Sequence, residues 1–141
     1  MKIVCVCTDL SNQWLEDWLQ SAKMWGYTDI HVVGQGLPWE GFATLYREIL
    51  LCLDACHHPD EVVLVTDCYD VVFTGPVDEL IAKYNARQGR VILGCESECG
   101  PNCRPLVCGD AKVRERFLNS GFVMGKVQQL QQLVTRAQQL C

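Results

Sequence analysis

Residues 62–73, VVLVTDCYDVVF, begin as a buried strand and then change character. The aliphatic run from Val62 to Val65 is short and rich in β-branched residues, which is typical of a strand inside a parallel sheet. Asp67 and Asp70 follow that run directly, before the chain becomes apolar again. Two carboxylates at the end of a core strand have either a chemical role, such as ligand binding, or a structural role. The rest of the chain helps to decide between these two roles.

The flanking sequence alternates strand and helix patterns. Predicted strands cover residues 2–7, 29–34, 62–66, 90–95 and 121–125, and predicted helices cover residues 11–27, 42–57, 77–89 and 126–140. This alternation predicts an α/β fold of three layers, a mainly parallel sheet flanked by helices, in a single domain over residues 1–141. Ligands of such sheets bind beyond the carboxyl ends of the strands, which is where Asp67 and Asp70 are expected.

Three tryptophans, Trp14, Trp18 and Trp25, recur at helical spacing in the first predicted helix. Large aromatic residues on one helical face are more often part of a core than of a binding platform. We therefore expect these three side chains to be buried against the sheet.

Composition excludes some classes of function. The 141 residues carry a formal net charge of −5, and no cluster of Lys and Arg opposes it, so a nucleic-acid partner is not expected. No apolar stretch approaches the length of a membrane span, and the first residues lack the apolar core of a signal peptide. The sequence predicts a soluble protein and favours a cytoplasmic location.

Eight of the ten cysteines fall into two groups of four. Those in strand and helix patterns, such as Cys5 and Cys7, are predicted to be free thiols that behave as small apolar side chains. The others crowd one Gly- and Pro-containing loop: Cys95, Cys99, Cys103 and Cys108. For this loop the sequence leaves open plain thiols, a disulfide staple or a zinc site, in that order, because the spacing differs from the Cys-x-x-Cys knuckles of common zinc sites.

The carboxylate pair has two interpretations. Asp67 and Asp70 repel each other unless a cation joins them, and Mg²⁺ typically takes one or two protein carboxylates together with phosphate oxygens. The alternative is that Asp67 caps a turn while Asp70 is a solvated loop residue, which is the common outcome for an isolated D-x-x-D.

Five stretches, taken together, resemble the glycosyltransferase domain of the procollagen lysyl hydroxylase family. The resemblance lies in VCVCTDL at the start, then SAKMWGYTDIHVVGQGLPWEGF with its G-x-x-W-x-G turn, VLVTDCYDVVF, ILGCESECGP and RFLNSGFVMG. It spans most of the chain, and the combination of T-D-x-Y-D-V with R-F-L-N-S-G is specific. The family is implied to have a GT-A-type fold and to use Mn²⁺ (or Mg²⁺) with a UDP-linked sugar of the UDP-glucose or UDP-galactose type.

The resemblance also implies roles for individual residues. Asp67 and Asp70 occupy the metal-binding D-x-x-D and, with Asn119, form the implied catalytic set. Thr8 lies where the first strand meets the nucleotide, and Trp39 is the turn tryptophan near the uridine.

Further positions are implied to lie close to the donor. Asn119, Ser120 and Gly121 form a turn beside the donor sugar, Glu96 is an acidic position after the fourth strand, and Arg47 is a loose match to a basic residue at the start of the second helix.

The family pattern continues beyond the matched segment with an acidic D-D segment and a histidine that completes the metal shell, and neither lies within the 141 residues. We therefore expect a donor-binding half whose acceptor side is supplied elsewhere, for instance by a partner chain or oligomer. The predicted function is transfer of a sugar to a protein or glycan hydroxyl. A nucleotide-sugar-binding module without transfer is the alternative, and a zinc module built on the loop cysteines is a distant third.

Overall fold

The computed structural model describes residues 1–97 and 117–139. Within them the chain forms five strands and four helices: β1 Lys2–Val6, α1 Gln13–Met24, β2 Asp29–Val33, α2 Phe42–Asp54, β3 Val62–Thr66, α3 Val77–Ala86, β4 Ile92–Glu96, β5 Phe117–Lys126 and α4 Val127–Gln138. Every predicted element is present in the predicted order. Each helix ends two or three residues before its apolar pattern does, which is common for fraying helix ends.

The strands form one sheet in the order β2-β1-β3-β5-β4. β1 pairs in parallel with β2 and β3, whereas β5 pairs antiparallel with β3 and β4. Four strands therefore run in one direction and β5 runs against them. The predicted three-layer α/β fold is confirmed, as a mixed sheet with β3 at its centre.

Two apolar clusters cover the two faces of the sheet. On one face, Trp18 of α1 and Tyr84 of α3 pack with strand residues that include Leu64. On the other face, Leu53 of α2 and Leu130 of α4 pack against the valines of β1 and β3. Because helices cover both faces, the described part of the sheet is open to a ligand at the ends of its strands and along its edge strands.

The strand β5 is longer than the sequence predicts, and the predicted turn before it is wrong. The sequence predicts a strand over residues 121–125 with Asn119, Ser120 and Gly121 in a preceding turn, but these three residues lie inside β5. Gly121 does not have the positive φ that a turn glycine uses. Instead, β5 lies between two strands, and its pairing with β4 shifts at Leu93 and Gly94, so that the segment 120–122 is accommodated within the strand.

The structure agrees with the prediction of plain thiols for the cysteines that it describes. Cys5 and Cys7 are buried free thiols, and Cys95 is an exposed free thiol. The expectations for Cys99, Cys103 and Cys108 fall outside the described residues. None of the helices in residues 1–97 and 117–139 is long and apolar enough to cross a membrane.

Candidate functional site

The candidate site lies where β1 and β3 end. These strands are parallel neighbours that pair from Lys2 with Val63 to Val4 with Val65, so their carboxyl ends meet at one edge of the sheet. Thr8 follows β1 and Asp67 follows β3 directly. The sheet therefore places a hydroxyl and a carboxylate at the edge where ligands of α/β proteins bind.

The loop after β3 is anchored beyond its second carboxylate. The Phe73 N–H donates a hydrogen bond to Ser21 Oγ at 3.1 Å. The Phe73 ring packs against Trp18 and Tyr27, with ring centroids 5.6 and 4.4 Å apart. Asp70 is thus held between the end of β3 and a fixed aromatic anchor, which keeps it close to Asp67.

A turn before α2 presents Trp39 to the same edge. Gly36 and Gly41 have φ values of 72° and 73°, which L side chains rarely adopt, so the G-x-x-W-x-G spacing sets the path of the turn. The fully buried Thr44 donates a hydrogen bond from Oγ1 to the Pro38 carbonyl at 3.3 Å. Trp39 itself is 57% exposed, so its ring is available to a ligand.

One pocket of about 490 Å³ brings five of the predicted residues together: Thr8, Trp39, Asp67, Asp70 and Ser120. The volume lies within the range of small-molecule sites. An aromatic ring and a carboxylate pair around one cavity suit a ligand that combines a planar ring with an anionic group bound through a cation. A larger cavity of about 720 Å³ follows β2, but no carboxylate lines it.

The two carboxylates are electrostatically coupled. The Asp67 side chain keeps an exposed surface, yet the atoms packed around its carboxylate remove enough water to raise its pKa, and the negative charge of Asp70 raises that pKa further. Both effects favour the protonated form of Asp67. A divalent cation between the carboxylates would relieve the repulsion.

We expect Asp70→Asn to lower the pKa of Asp67 towards its ordinary value without restoring it fully, because the desolvation remains. Between the ordinary and the raised pKa, the folded chain binds more protons than the unfolded chain, so this group makes the fold less stable as pH rises through that window. Asp70→Asn should therefore reduce the loss of folding stability that occurs as pH rises through this window. Carbon-detected NMR titration of the side-chain carboxyls measures the pKa. Asp54→Asn, an exposed residue at the end of α2, should leave it unchanged, and an unchanged value in Asp70→Asn contradicts the coupling.

The donor set fits a hard divalent cation. Among the residues that the structure describes, no group of three or more His, Cys, Asp or Glu side chains is arranged to hold a metal ion. The pocket itself is lined by two carboxylates, those of Asp67 and Asp70. Mg²⁺ commonly keeps several waters and takes only one or two carboxylates from a protein, so two carboxylates match the protein share of such a site.

The remaining predicted donor-sugar residues form a hydrogen-bonded line on the neighbouring strands. The Asn119 side chain donates from Nδ2 to Glu96 Oε2 at 3.3 Å. Its Oδ1 accepts the Gly121 N–H at 2.6 Å. The Gly121 carbonyl in turn accepts the Asp67 N–H at 3.1 Å. These residues therefore reach the pocket through Asp67.

Arg47 lies on α2 and is engaged by acidic neighbours. Its guanidinium donates to Glu48 Oε1 at 3.0 Å and to Glu40 Oε2 at 3.4 Å. Arg47 does not line the pocket that contains Asp67. Its role towards a donor stays a prediction.

Sequence reasoning did not assign two aromatic residues that line the pocket, Tyr69 and Phe42. Tyr69 lies between Asp67 and Asp70 in the sequence. Its hydroxyl is 3.3 Å from Cys7 Sγ, and this contact holds the ring at the end of β1. The tyrosine of T-D-x-Y-D was the available signal. Phe42 had no comparable signal, because an apolar residue at the start of a helix is expected to pack inward, whereas Phe42 is 56% exposed.

The α/β sheet with helices on both faces is consistent with a GT-A-like, Rossmann-type fold. In agreement, a model of the PLOD GT domain matches residues 1–140. The chain belongs to the PLOD GT domain family, which is a family of glycosyltransferases.

Individual relatives are similar at low identity. Procollagen-lysine,2-oxoglutarate 5-dioxygenase 2 of Mus musculus is 28% identical over 94% of the chain and 19% of its own length. Procollagen-lysine,2-oxoglutarate 5-dioxygenase 1 of Bos taurus is 34% identical over 82% of the chain and 17% of its own length. The multifunctional procollagen lysine hydroxylase and glycosyltransferase of Caenorhabditis elegans is 29% identical over 87% and 18%. The chain thus spans less than a fifth of the length of these relatives.

Proposed function

We propose that the chain transfers a hexose from a UDP-linked sugar to an acceptor hydroxyl, with Mn²⁺ or Mg²⁺ held by Asp67 and Asp70. The observation that carries the proposal is the shared pocket, in which both carboxylates lie with Trp39 at the carboxyl edge of the sheet. Membership of a glycosyltransferase family supports the same chemistry.

Five of the pocket residues have a role in this proposal. Asp67 and Asp70 would hold the cation, which would supply Lewis-acid stabilisation of the negative charge on the leaving UDP. The exposed Trp39 ring stacks on the uracil, because flat apolar faces associate well with bases. Thr8 and Ser120 offer hydroxyls to the ribose and the sugar.

The transfer is a substitution at the anomeric carbon. The acceptor oxygen forms a bond to that carbon, the bond from carbon to diphosphate oxygen breaks, and UDP leaves with the electron pair while the acceptor proton is released. The donor is UDP-glucose or UDP-galactose, and the acceptor is a hydroxyl of a protein or a glycan. The second candidate is a module that binds the nucleotide sugar without transfer, and the two differ in UDP release but not in binding.

Calorimetry with UDP and Mn²⁺ tests the binding step. Asp67→Asn should weaken UDP binding in the presence of Mn²⁺ by about 10-fold or more, since it removes one of the two charges that hold the cation. Without Mn²⁺ the difference between the two proteins should shrink. This pattern separates a cation-mediated effect from a lost hydrogen bond.

Asp54→Asn is the matched control for this measurement. It removes the same charge from an exposed residue at the end of α2, outside the pocket, and should bind as the wild type does. Equal affinity of wild type and Asp67→Asn would remove Asp67 from the site and, with it, the proposed cation.

A further inference from the structure

The Asp67 carboxylate sits against a bare stretch of β5. Gly121 is buried, and a Cβ placed on it would lie 2.7 Å from Asp67 Oδ2 and 2.8 Å from Asn119 Oδ1. Real Cβ atoms do not approach other heavy atoms so closely, so any larger residue forces these side chains to move. Backbone strain is not the reason for this glycine, because its φ is not positive. Its missing side chain is what makes room for the carboxylate.

A second observation is that β5 leaves its regular pairing at this point. Leu93 of β4 pairs with Val123, but the next residue, Gly94, pairs with Asn119. The segment 120–122 thus has no partner on β4 and turns towards β3, where the Asp67 N–H bonds to the Gly121 carbonyl. Irregularities of this kind occur next to active sites, where they re-aim a side chain or end a pairing.

The Asn119 side-chain amide links the irregular segment to β4. Its Oδ1 accepts the Gly121 N–H at 2.6 Å, and its Nδ2 donates to Glu96 Oε2 at 3.3 Å. A line of hydrogen bonds therefore runs from Glu96 on β4, through Asn119 and Gly121 on β5, to the Asp67 backbone N–H, and Gly121 also leaves the space that the Asp67 carboxylate occupies.

We propose that Glu96, Asn119 and Gly121 are positioning residues that hold the Asp67 carboxylate for the cation, rather than residues that touch the donor sugar. This inference rests on the proposed cation role of Asp67. In this inference all three residues affect cation binding only through the position of the Asp67 carboxylate. Their substitution should therefore have no effect on binding once that carboxylate is removed.

A double-mutant cycle measures this dependence, with UDP and Mn²⁺ as the probe. Gly121→Ala and Asn119→Ala should each weaken binding by about 10- to 100-fold, as loss of the outer partners of a metal ligand typically does. In the Asp67→Asn background, adding either substitution should change the affinity by less than about 2-fold. Equal losses in both backgrounds mean direct contact with the ligand and overturn the inference.

Three further variants sharpen the test. Glu96→Gln keeps an acceptor for the Asn119 amide and should bind as the wild type does, whereas loss of binding indicates a role for the Glu96 charge and contradicts a purely positioning role. Gly75→Ala is a matched glycine control, because its Cβ would meet no atom closer than 3.8 Å. Asn85→Ala, an exposed residue of α3, is the asparagine control. Both controls should bind normally.

The position of the carboxylate also has a readout that needs no ligand. A crystal structure of Gly121→Ala should show the Asp67 side chain displaced from its place in the wild type. If the wild type binds neither Mn²⁺ nor UDP, the proposed function and the cation part of the inference fail, and this structure still decides whether Gly121 positions the carboxylate. An Asp67 carboxylate in its original place overturns it.

Discussion

Asp70→Ala is expected to reduce the donor-dependent release of UDP by about 100-fold or more, equivalent to about 2.7 kcal/mol of transition-state stabilisation. The reason is that Asp70 supplies one of the two carboxylates of the proposed cation site. Without it the cation is held by Asp67 alone, and the charge that develops on the leaving diphosphate loses its main stabilising partner. The measurement is UDP release from a panel of UDP-sugars with Mn²⁺, with and without acceptor hydroxyls.

Two comparisons make this result specific. Asp54→Ala also removes an exposed carboxylate, but outside the pocket, and should release UDP at the wild-type rate. Omission of Mn²⁺ should lower the wild-type rate while it changes the Asp70→Ala rate little. Donor-dependent release by the wild type no faster than by Asp70→Ala would contradict transfer and leave the nucleotide-binding module as the function.

The location of the carboxylate pair was predictable because it depends on chain direction alone. Strand and helix patterns that alternate along the chain make neighbouring strands parallel, so the residues after β1 and β3 must meet at one edge. Asp67 and Asp70 needed no further information to be placed there, whereas Thr8 was assigned to the site only through the family resemblance. Trp39 was named only through the resemblance to the lysyl hydroxylase family, and the structure places it in the same pocket.

The environment of Asp67 was not predictable, because it depends on a contact between strands that are distant in sequence. Asn-Ser-Gly is typical of a turn when read locally. In the structure β5 passes between β3 and β4, and pairing on both sides keeps the segment in a strand. The glycine is needed for the space beside Asp67, which no local pattern reveals.

The tryptophans of α1 show a similar limit at the level of one helix. Trp18 is fully buried and Trp25 packs partly buried against the same cluster, as predicted. Trp14 is 60% exposed, so the expectation that it lies in the core is wrong. The buried residues of α1 are Leu15, Trp18 and Ala22, whereas Trp14 lies in the first turn of the helix, where its N–H bonds to the N-cap Asn12.

This difference within one helix gives the second large prediction. Trp18→Ala should lower the free energy of unfolding by about 3–5 kcal/mol, because it empties a fully buried aromatic site. It also removes the Trp18 Nε1 donor from Thr66 Oγ1, a buried contact of 3.0 Å one residue before Asp67. Since domains of this size are typically stable by about 5–15 kcal/mol, the loss is a large fraction of the stability of the fold. Urea denaturation followed by circular dichroism measures it through the midpoint and slope of unfolding.

Trp14→Ala is the control on the same helix, and it should change stability by no more than about 0.5 kcal/mol because its ring is mostly in water. Trp18→Phe separates packing from hydrogen bonding, since it keeps most of the apolar volume but leaves the Thr66 hydroxyl without its donor. That variant should lose about 1–3 kcal/mol, and the lost contact lies directly beside the site. A Trp18→Ala protein with the wild-type midpoint, or a Trp14→Ala protein as unstable as Trp18→Ala, would show that this face of α1 is not the one packed on the sheet.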